Sequence, residues 1–115
     1  HLEADIHAAK GNKNGFGAGE WVPYLLIRYT LINIEKGGVV SGMLEPMVAS
    51  DGPHYGAQIK MPGPGKYKVI YYINPPNYSR MTRHTDKETG VGEWWAPFKA
   101  EWEFTYLGFG KKGGY

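Results

Sequence analysis

The chain has 115 residues, of which 42% are hydrophobic and 21% are charged, with a net charge of +2. This composition fits one globular domain over residues 1–115, and it argues against disorder and against a basic nucleic-acid-binding surface. Cysteine is absent, which excludes disulfides, iron–sulfur clusters, zinc ribbons and the cysteine-ligated blue-copper site. No apolar run reaches the roughly 18 residues of a spanning helix, so direct membrane insertion is not expected.

The first segment, residues 2–8, has the alternation of a strand. At a period of two, His1, Glu3, Asp5 and His7 share one face, and apolar residues occupy the other. Four potential metal ligands on one face are unusual, because lysine and threonine are the ordinary residues of a hydrated strand face. The alternative is an edge strand whose polar face is merely hydrated. By itself, His7 is interpreted as a structural hydrogen-bonding residue.

A glycine- and asparagine-rich loop over residues 12–19 precedes a predicted strand over residues 24–31, and a weaker strand follows at 39–44. The segment from Met47 to His54 contains Asp51 in an Asp-Gly-Pro turn, which folds the chain back and brings Met47 close to His54. All three residues carry metal-ligating atoms. The alternative for Met47 is a core position, which is the commonest role of methionine.

Further strands are predicted at residues 55–60, 66–73 and 99–106, and the last of these has the cleanest alternation in the chain. The long segment 75–92 has poor strand character. A structureless loop of this length in a compact domain is usually functional, and it contains His84. Loop histidines are usually uninvolved in binding. Together with His1, Met47 and His54, however, His84 would complete a thioether and imidazole set that suits copper.

Six or seven short strands separated by glycine and proline predict an all-β fold, either an immunoglobulin-like or a cupredoxin-like β-sandwich. The aromatic run at residues 92–98 is interpreted as core or interface packing, with a carbohydrate-binding patch as the alternative. Nucleophilic catalysis is poorly supported, because the sequence has no cysteine and no G-x-S-x-G motif. A redox enzyme would need an electron acceptor and an open coordination position, and the sequence indicates neither, so a binding and transport accessory is favoured over an oxidase. Residues 108–115 are predicted to form a mobile tail.

The stretches HLEADIHA, GNKNGFGAGEWVPYL, PMVASDGPHYGA and RHTDKETGVGEWWAPF resemble the bacterial periplasmic iron-transport protein family. The family consists of copper-binding, immunoglobulin-like homodimers that accompany an inner-membrane iron permease. The resemblance implies copper ligands at the positions that match the family's motifs: His1, Met47, His54 and His84. It also implies that Glu3 and Asp51 lie at the same site or at an adjacent metal position. Family members have an N-terminal region with at least one strand before HLE, which we expect to be missing here.

The resulting hypothesis is a periplasmic accessory protein that binds copper and iron and that presents iron to a permease or handles its redox state. One alternative is a periplasmic copper chaperone or buffer with no role in iron uptake. The other is a structural or adhesive module with incidental histidines. The sequence does not distinguish oxidation or reduction of iron from simple carriage.

Overall fold

The alternating segments of the sequence fold into antiparallel strands in a computed structural model, which describes residues 1–108. The strands are β1 Leu2–Ala4, β2 Leu26–Asn33, β3 Val39–Ala49, β4 Gly52–Ala57, β5 Gly65–Asn74 and β6 Phe98–Tyr106. A short 3-10 helix, Pro76–Ser79, follows β5. Within the described residues, no helix has the length and hydropathy to cross a membrane.

The six strands form one sheet in the order β1-β4-β3-β2-β5-β6, and every neighbouring pair is antiparallel. β3 changes its partner along its length: residues 39–44 pair with β2, and residues 45–49 pair with β4. The sheet curls so that its two ends approach each other, and the Tyr71 hydroxyl on β5 donates a hydrogen bond of 2.8 Å to the Glu3 carbonyl on β1. The two distant parts of the sheet therefore meet across the core.

Apolar side chains from the inner faces of the strands fill this curl. The most deeply buried of them are Ile27, Leu31, Tyr55, Tyr67 and Val69. The Tyr55 hydroxyl donates to the Val22 carbonyl at 2.6 Å and accepts from the Leu25 N–H at 3.0 Å. Burial raises the pKa of Tyr55. The phenol therefore serves as a neutral cross-link between β4 and the segment that leads into β2.

The prediction of an all-β protein is confirmed, and the finer assignment to an immunoglobulin-like or cupredoxin-like sandwich stays a prediction. The first strand is shorter than predicted, because residues 5–8 leave β4 and pair with residues 20–22. The Val22 N–H donates to the Ile6 carbonyl at 3.0 Å, and the Ala8 N–H donates to the Glu20 carbonyl at 2.7 Å. Apart from Gly108, the predicted mobile tail lies outside the described residues.

The segment between β5 and β6 contains no strand, as predicted, and hydrogen bonds hold it in place. The Arg83 guanidinium donates to the Val91 carbonyl at 3.0 Å, and the Asn14 amide donates to the Glu93 carbonyl at 2.9 Å. Trp95 is half-buried and packs against the core, which agrees with a packing role for the aromatic run.

Candidate metal centre

The β3–β4 hairpin places the first two predicted ligands side by side. Its turn joins Ala49 to Gly52, whose φ of +114° lies in a region that favours glycine. Two residues before the turn, Met47 lies directly opposite His54 in the antiparallel register. Side chains of directly opposed residues share one face, with Cβ atoms about 5 Å apart. The predicted turn therefore brings Met47 and His54 together.

β1 and the residue that precedes it add two more candidate ligands from the other side of β4. Glu3 is paired with Gly56, so the side chains of His1 and Glu3 lie beside His54 on the same face of the sheet. Gly56 leaves room for this arrangement. A Cβ at this position would lie 3.1 Å from His1 Nε2 and 3.1 Å from the Leu2 carbonyl oxygen. The His1 imidazole therefore occupies space that a side chain on residue 56 would fill.

Three donor atoms converge in the resulting cluster. Glu3 Oε1 lies 3.3 Å from His1 Nε2 and 3.7 Å from His54 Nε2. One donor atom from each of these three residues lies within 4.8 Å of the other two. The two imidazole rings meet edge to face, with centroids 6.1 Å apart. This spacing lets one ion contact both nitrogens and the carboxylate.

His54 is the most informative residue of the cluster, because it is 6% exposed and its Nε2 has no hydrogen-bond partner among residues 1–108. An unsatisfied buried polar atom is costly, by about 1–3 kcal/mol, and is rare in folded proteins. A cation that binds Nε2 would satisfy it. The carboxylate of Glu3 is well placed to neutralise part of the charge. The cluster therefore fits a metal ion on physical grounds.

The remaining predicted ligands lie outside this group of three. Met47 is half-buried next to His54, whereas Asp51 is exposed in the turn between β3 and β4. His84 lies on the long loop with its side chain 73% exposed, and its Nδ1 is 2.9 Å from the Thr89 hydroxyl. His84 and Asp51 are not members of the cluster in this chain.

Thr89 also organises the loop that carries His84. Its backbone N–H and its hydroxyl donate hydrogen bonds to the Asp86 carboxylate, and these bonds lower the pKa of Asp86. The Val91 N–H donates to the His84 carbonyl at 3.0 Å. The His84 backbone is therefore fixed, while its imidazole faces outward. By contrast, His7 Nδ1 lies 2.9 Å from the Gly19 carbonyl oxygen. This contact agrees with the interpretation of His7 as a structural hydrogen-bonding residue.

Sequence reasoning missed two residues that shape the cluster. One is Gly56, although an isolated glycine inside a strand often marks a close approach of another group. The other is Tyr71, whose hydroxyl holds the Glu3 backbone from the far side of the core. Its alternation predicts only that it is buried, and no local pattern indicates its hydrogen-bond partner.

The fold and the cluster together define a β-sheet protein with a candidate metal centre on one strand face. The chain belongs to the Fe2+ transport protein family, whose profile matches residues 1–108.

The chain is similar to curated proteins over 90–100% of its length. It is 55% identical over 118 residues to a UPF0423 protein of Brucella abortus (strain 2308), and it spans 65% of that protein's length. It is 44% identical over 107 residues to the 34 kDa membrane antigen of Treponema pallidum (strain Nichols), with 90% of this chain and 52% of the antigen covered. The chain therefore spans about half to two thirds of these relatives.

Solved structures give the same fold. A copper-bound variant of FetP from uropathogenic Escherichia coli strain F11 is 64% identical, with a TM-score of 0.89, over 93% of this chain and 71% of FetP. Copper-reconstituted P19 from Campylobacter jejuni is 50% identical, with a TM-score of 0.90, over 95% of this chain and 73% of P19.

Proposed function

We propose that this protein is a periplasmic copper- and iron-binding accessory of high-affinity iron uptake. The observation that carries the proposal is the buried, unpartnered Nε2 of His54 beside His1 and Glu3. Membership of the Fe2+ transport family and the copper-bound states of FetP and P19 support the same conclusion. The recombinant expression of FetP in the periplasm supports the proposed location.

Copper suits this donor set better than the harder divalent ions do. Two imidazole nitrogens with an adjacent thioether favour copper, and the thioether favours Cu(I) in particular. His1, His54 and Met47 would hold the ion, and the Glu3 carboxylate would supply an oxygen donor. Asp51 would place negative charge beside the site, from the hairpin turn. When bound, copper would supply one-electron redox chemistry next to the transported iron.

His84 enters this scheme through a second copy of the chain. The family resemblance implies that His84 is a ligand and that the protein is a homodimer, yet His84 is not in the cluster of its own chain. Both implications hold if His84 of one copy completes the site of the other. Its outward-facing imidazole on a fixed loop is suited to this role.

Copper titration against a competing chelator tests the metal site. The parent should bind one copper ion per chain, and His54→Gln should lose high-affinity binding. His7→Gln is the matched control, because His7 is an exposed histidine on the same segment as His1, bonded to the Gly19 carbonyl instead. Equal copper affinity in the parent and in His54→Gln would contradict the proposal.

Mixed dimers test the origin of His84. If His84 of one copy completes the site of the other, a mixed dimer of His84→Gln and His54→Gln chains has two different sites. One site combines the intact His54 of one chain with the intact His84 of the other, and the second site lacks both ligands. Random mixing should then restore about a quarter of the sites, although each variant alone binds weakly. A His84 that acts within its own chain would give no restoration.

The competing hypothesis is a periplasmic copper buffer without an iron role. Cellular uptake of radioactive iron under iron limitation separates the two. The accessory role predicts slower uptake in cells that carry His54→Gln together with the inner-membrane permease, at unchanged copper tolerance. A buffer would change copper tolerance and leave iron uptake unaltered.

A further inference from the structure

The loop that carries His84 is closed on itself by hydrogen bonds around Asp86 and Thr89. The Val91 N–H donates to the His84 carbonyl at 3.0 Å, and the Gly90 N–H donates to the Asp86 carbonyl at 2.8 Å. The Thr89 N–H donates to Asp86 Oδ2 at 2.8 Å. Glycine at position 90 permits this turn, because a Cβ there would collide with the Asp86 carbonyl oxygen. The loop backbone therefore holds the Thr89 hydroxyl in a fixed place beside the imidazole.

A chain of hydrogen bonds runs from the Asp86 carboxylate through the Thr89 hydroxyl to the His84 ring. Thr89 Oγ1 lies 2.7 Å from Asp86 Oδ1 and 2.8 Å from Asp86 Oδ2. It also lies 2.9 Å from His84 Nδ1. An ionised carboxylate only accepts hydrogen bonds, so the single hydrogen of the hydroxyl points to Asp86. The hydroxyl oxygen is then left as an acceptor for His84 Nδ1.

These directions decide which ring nitrogen of a neutral His84 carries the hydrogen. An acceptor beside Nδ1 requires the Nδ1–H form, in which Nε2 keeps its lone pair. A histidine side chain that is free in water favours the opposite form, with the hydrogen on Nε2. The His84 side chain is 73% exposed, and its Nε2 has no hydrogen-bond partner within residues 1–108. The loop therefore presents an unshared lone pair at a position that another molecule can reach.

A lone pair on one nitrogen and a held hydrogen on the other is the state that a metal ion requires of an imidazole. Metal-binding histidines almost always donate their second ring N–H to a carboxylate, a carbonyl or water, which fixes the ring and raises its basicity. In His84 the Thr89 hydroxyl takes this supporting place. The Asp86 carboxylate strengthens it, because a hydroxyl that donates to an anion is a better acceptor. His1 and His54 likewise face Glu3 through Nε2.

We propose that Thr89 and Asp86 are positioning residues that hold His84 as the Nδ1–H tautomer, so that its Nε2 binds copper in the site of a second copy. The inference rests on the proposed function, in which His84 of one copy completes the site of the other. The tautomer itself depends neither on copper nor on pairing of the chains. It can therefore be measured in the metal-free protein.

The first test is long-range nitrogen–proton correlation NMR of the metal-free protein at about pH 9, where histidine side chains are ordinarily neutral. The parent should show His84 in the Nδ1–H form. Thr89→Val removes the hydroxyl and keeps the backbone N–H that bonds Asp86, so His84 should revert mainly to the Nε2–H form. Thr89→Ser keeps the hydroxyl and should keep the parent tautomer. His7 is the internal control, because its Nδ1 lies 2.9 Å from the Gly19 carbonyl oxygen and should stay in the Nδ1–H form throughout.

Copper titration against a chelator is the second test. Thr89→Val should bind copper about tenfold more weakly than the parent, as expected when a group that orients a metal ligand is lost, and Thr89→Ser should bind it as the parent does. A parent with His84 in the Nε2–H form would overturn the inference, and so would an unchanged tautomer or parent-like copper affinity in Thr89→Val. A parent that binds no copper would refute the proposed function itself, and the metal-free spectra would still decide whether Thr89 sets the tautomer.

Discussion

Replacing Gly56 with alanine tests whether the His1 imidazole must hold its place above β4. The added Cβ would lie 3.1 Å from His1 Nε2 and 3.1 Å from the Leu2 carbonyl oxygen. Comfortable contacts begin near 3.5 Å, so each neighbour is about 0.4 Å too close. The Leu2 carbonyl belongs to the paired backbone of β1. The His1 imidazole is therefore the group that has to move.

A shift of about 0.4 Å exceeds the roughly 0.2 Å tolerance of a metal–ligand bond. We therefore expect copper affinity to fall by about 10- to 100-fold, the range seen when groups that orient a ligand are disturbed. The free energy of unfolding should change by less than about 1.5 kcal/mol, because mild overpacking is offset by the reduced freedom of the unfolded chain. The predicted signature is a large loss of affinity with little loss of stability.

The assay is copper titration against a chelator, with thermal unfolding in parallel. Gly38→Ala is the matched control, since a Cβ there meets no atom within 4 Å and the residue has no positive φ. That variant should bind copper as the parent does. Parent-like affinity in Gly56→Ala would refute the reasoning, because His1 would then be either displaced without consequence or not a ligand.

Three further variants separate the roles of neighbouring residues. Met47→Leu keeps the size and apolarity of the side chain, so the free energy of unfolding should change by less than about 1.5 kcal/mol. The variant removes the thioether, so Cu(I) affinity should fall more than Cu(II) affinity. Equal Cu(I) affinity in the variant and the parent would mean that Met47 only packs in the core. Glu3→Gln should alter the electron paramagnetic resonance spectrum of bound Cu(II) without changing the melting temperature. An unchanged spectrum would mean that Glu3 is solvated and does not contact the copper ion. Tyr55→Phe leaves the Val22 carbonyl and the Leu25 N–H without their partner. It should lower the free energy of unfolding by about 1–3 kcal/mol, measured by denaturant titration, and a neutral result would mean that water replaces the hydroxyl.

The strands were predictable where apolar and polar residues alternate without interruption. β5 and β6 fall close to the predicted bounds for this reason. The alternation in residues 2–8 predicts one continuous strand, but it cannot say which neighbour each residue will pair with. Residues 5–8 pair with 20–22 instead of β4, and that choice depends on contacts distant in sequence.

The metal cluster was predictable in part. The Asp-Gly-Pro turn fixes the register that opposes Met47 and His54, and both residues lie in one hairpin. The partners from β1 required the sheet order, which local pattern does not contain. The position of His84 could not be predicted from spacing, because hydrogen bonds to residues distant in sequence, such as that of the Asn14 amide to the Glu93 carbonyl, anchor its loop.

The central claim is that one copper ion lies between His1, Glu3 and His54. Anomalous diffraction at the copper absorption edge, from crystals soaked in Cu(II), tests it most directly. We predict one strong peak per chain within bonding distance of both imidazole Nε2 atoms, which lie 3.3 Å and 3.7 Å from Glu3 Oε1. A strong peak elsewhere, or no peak at this cluster under saturating copper, would contradict it.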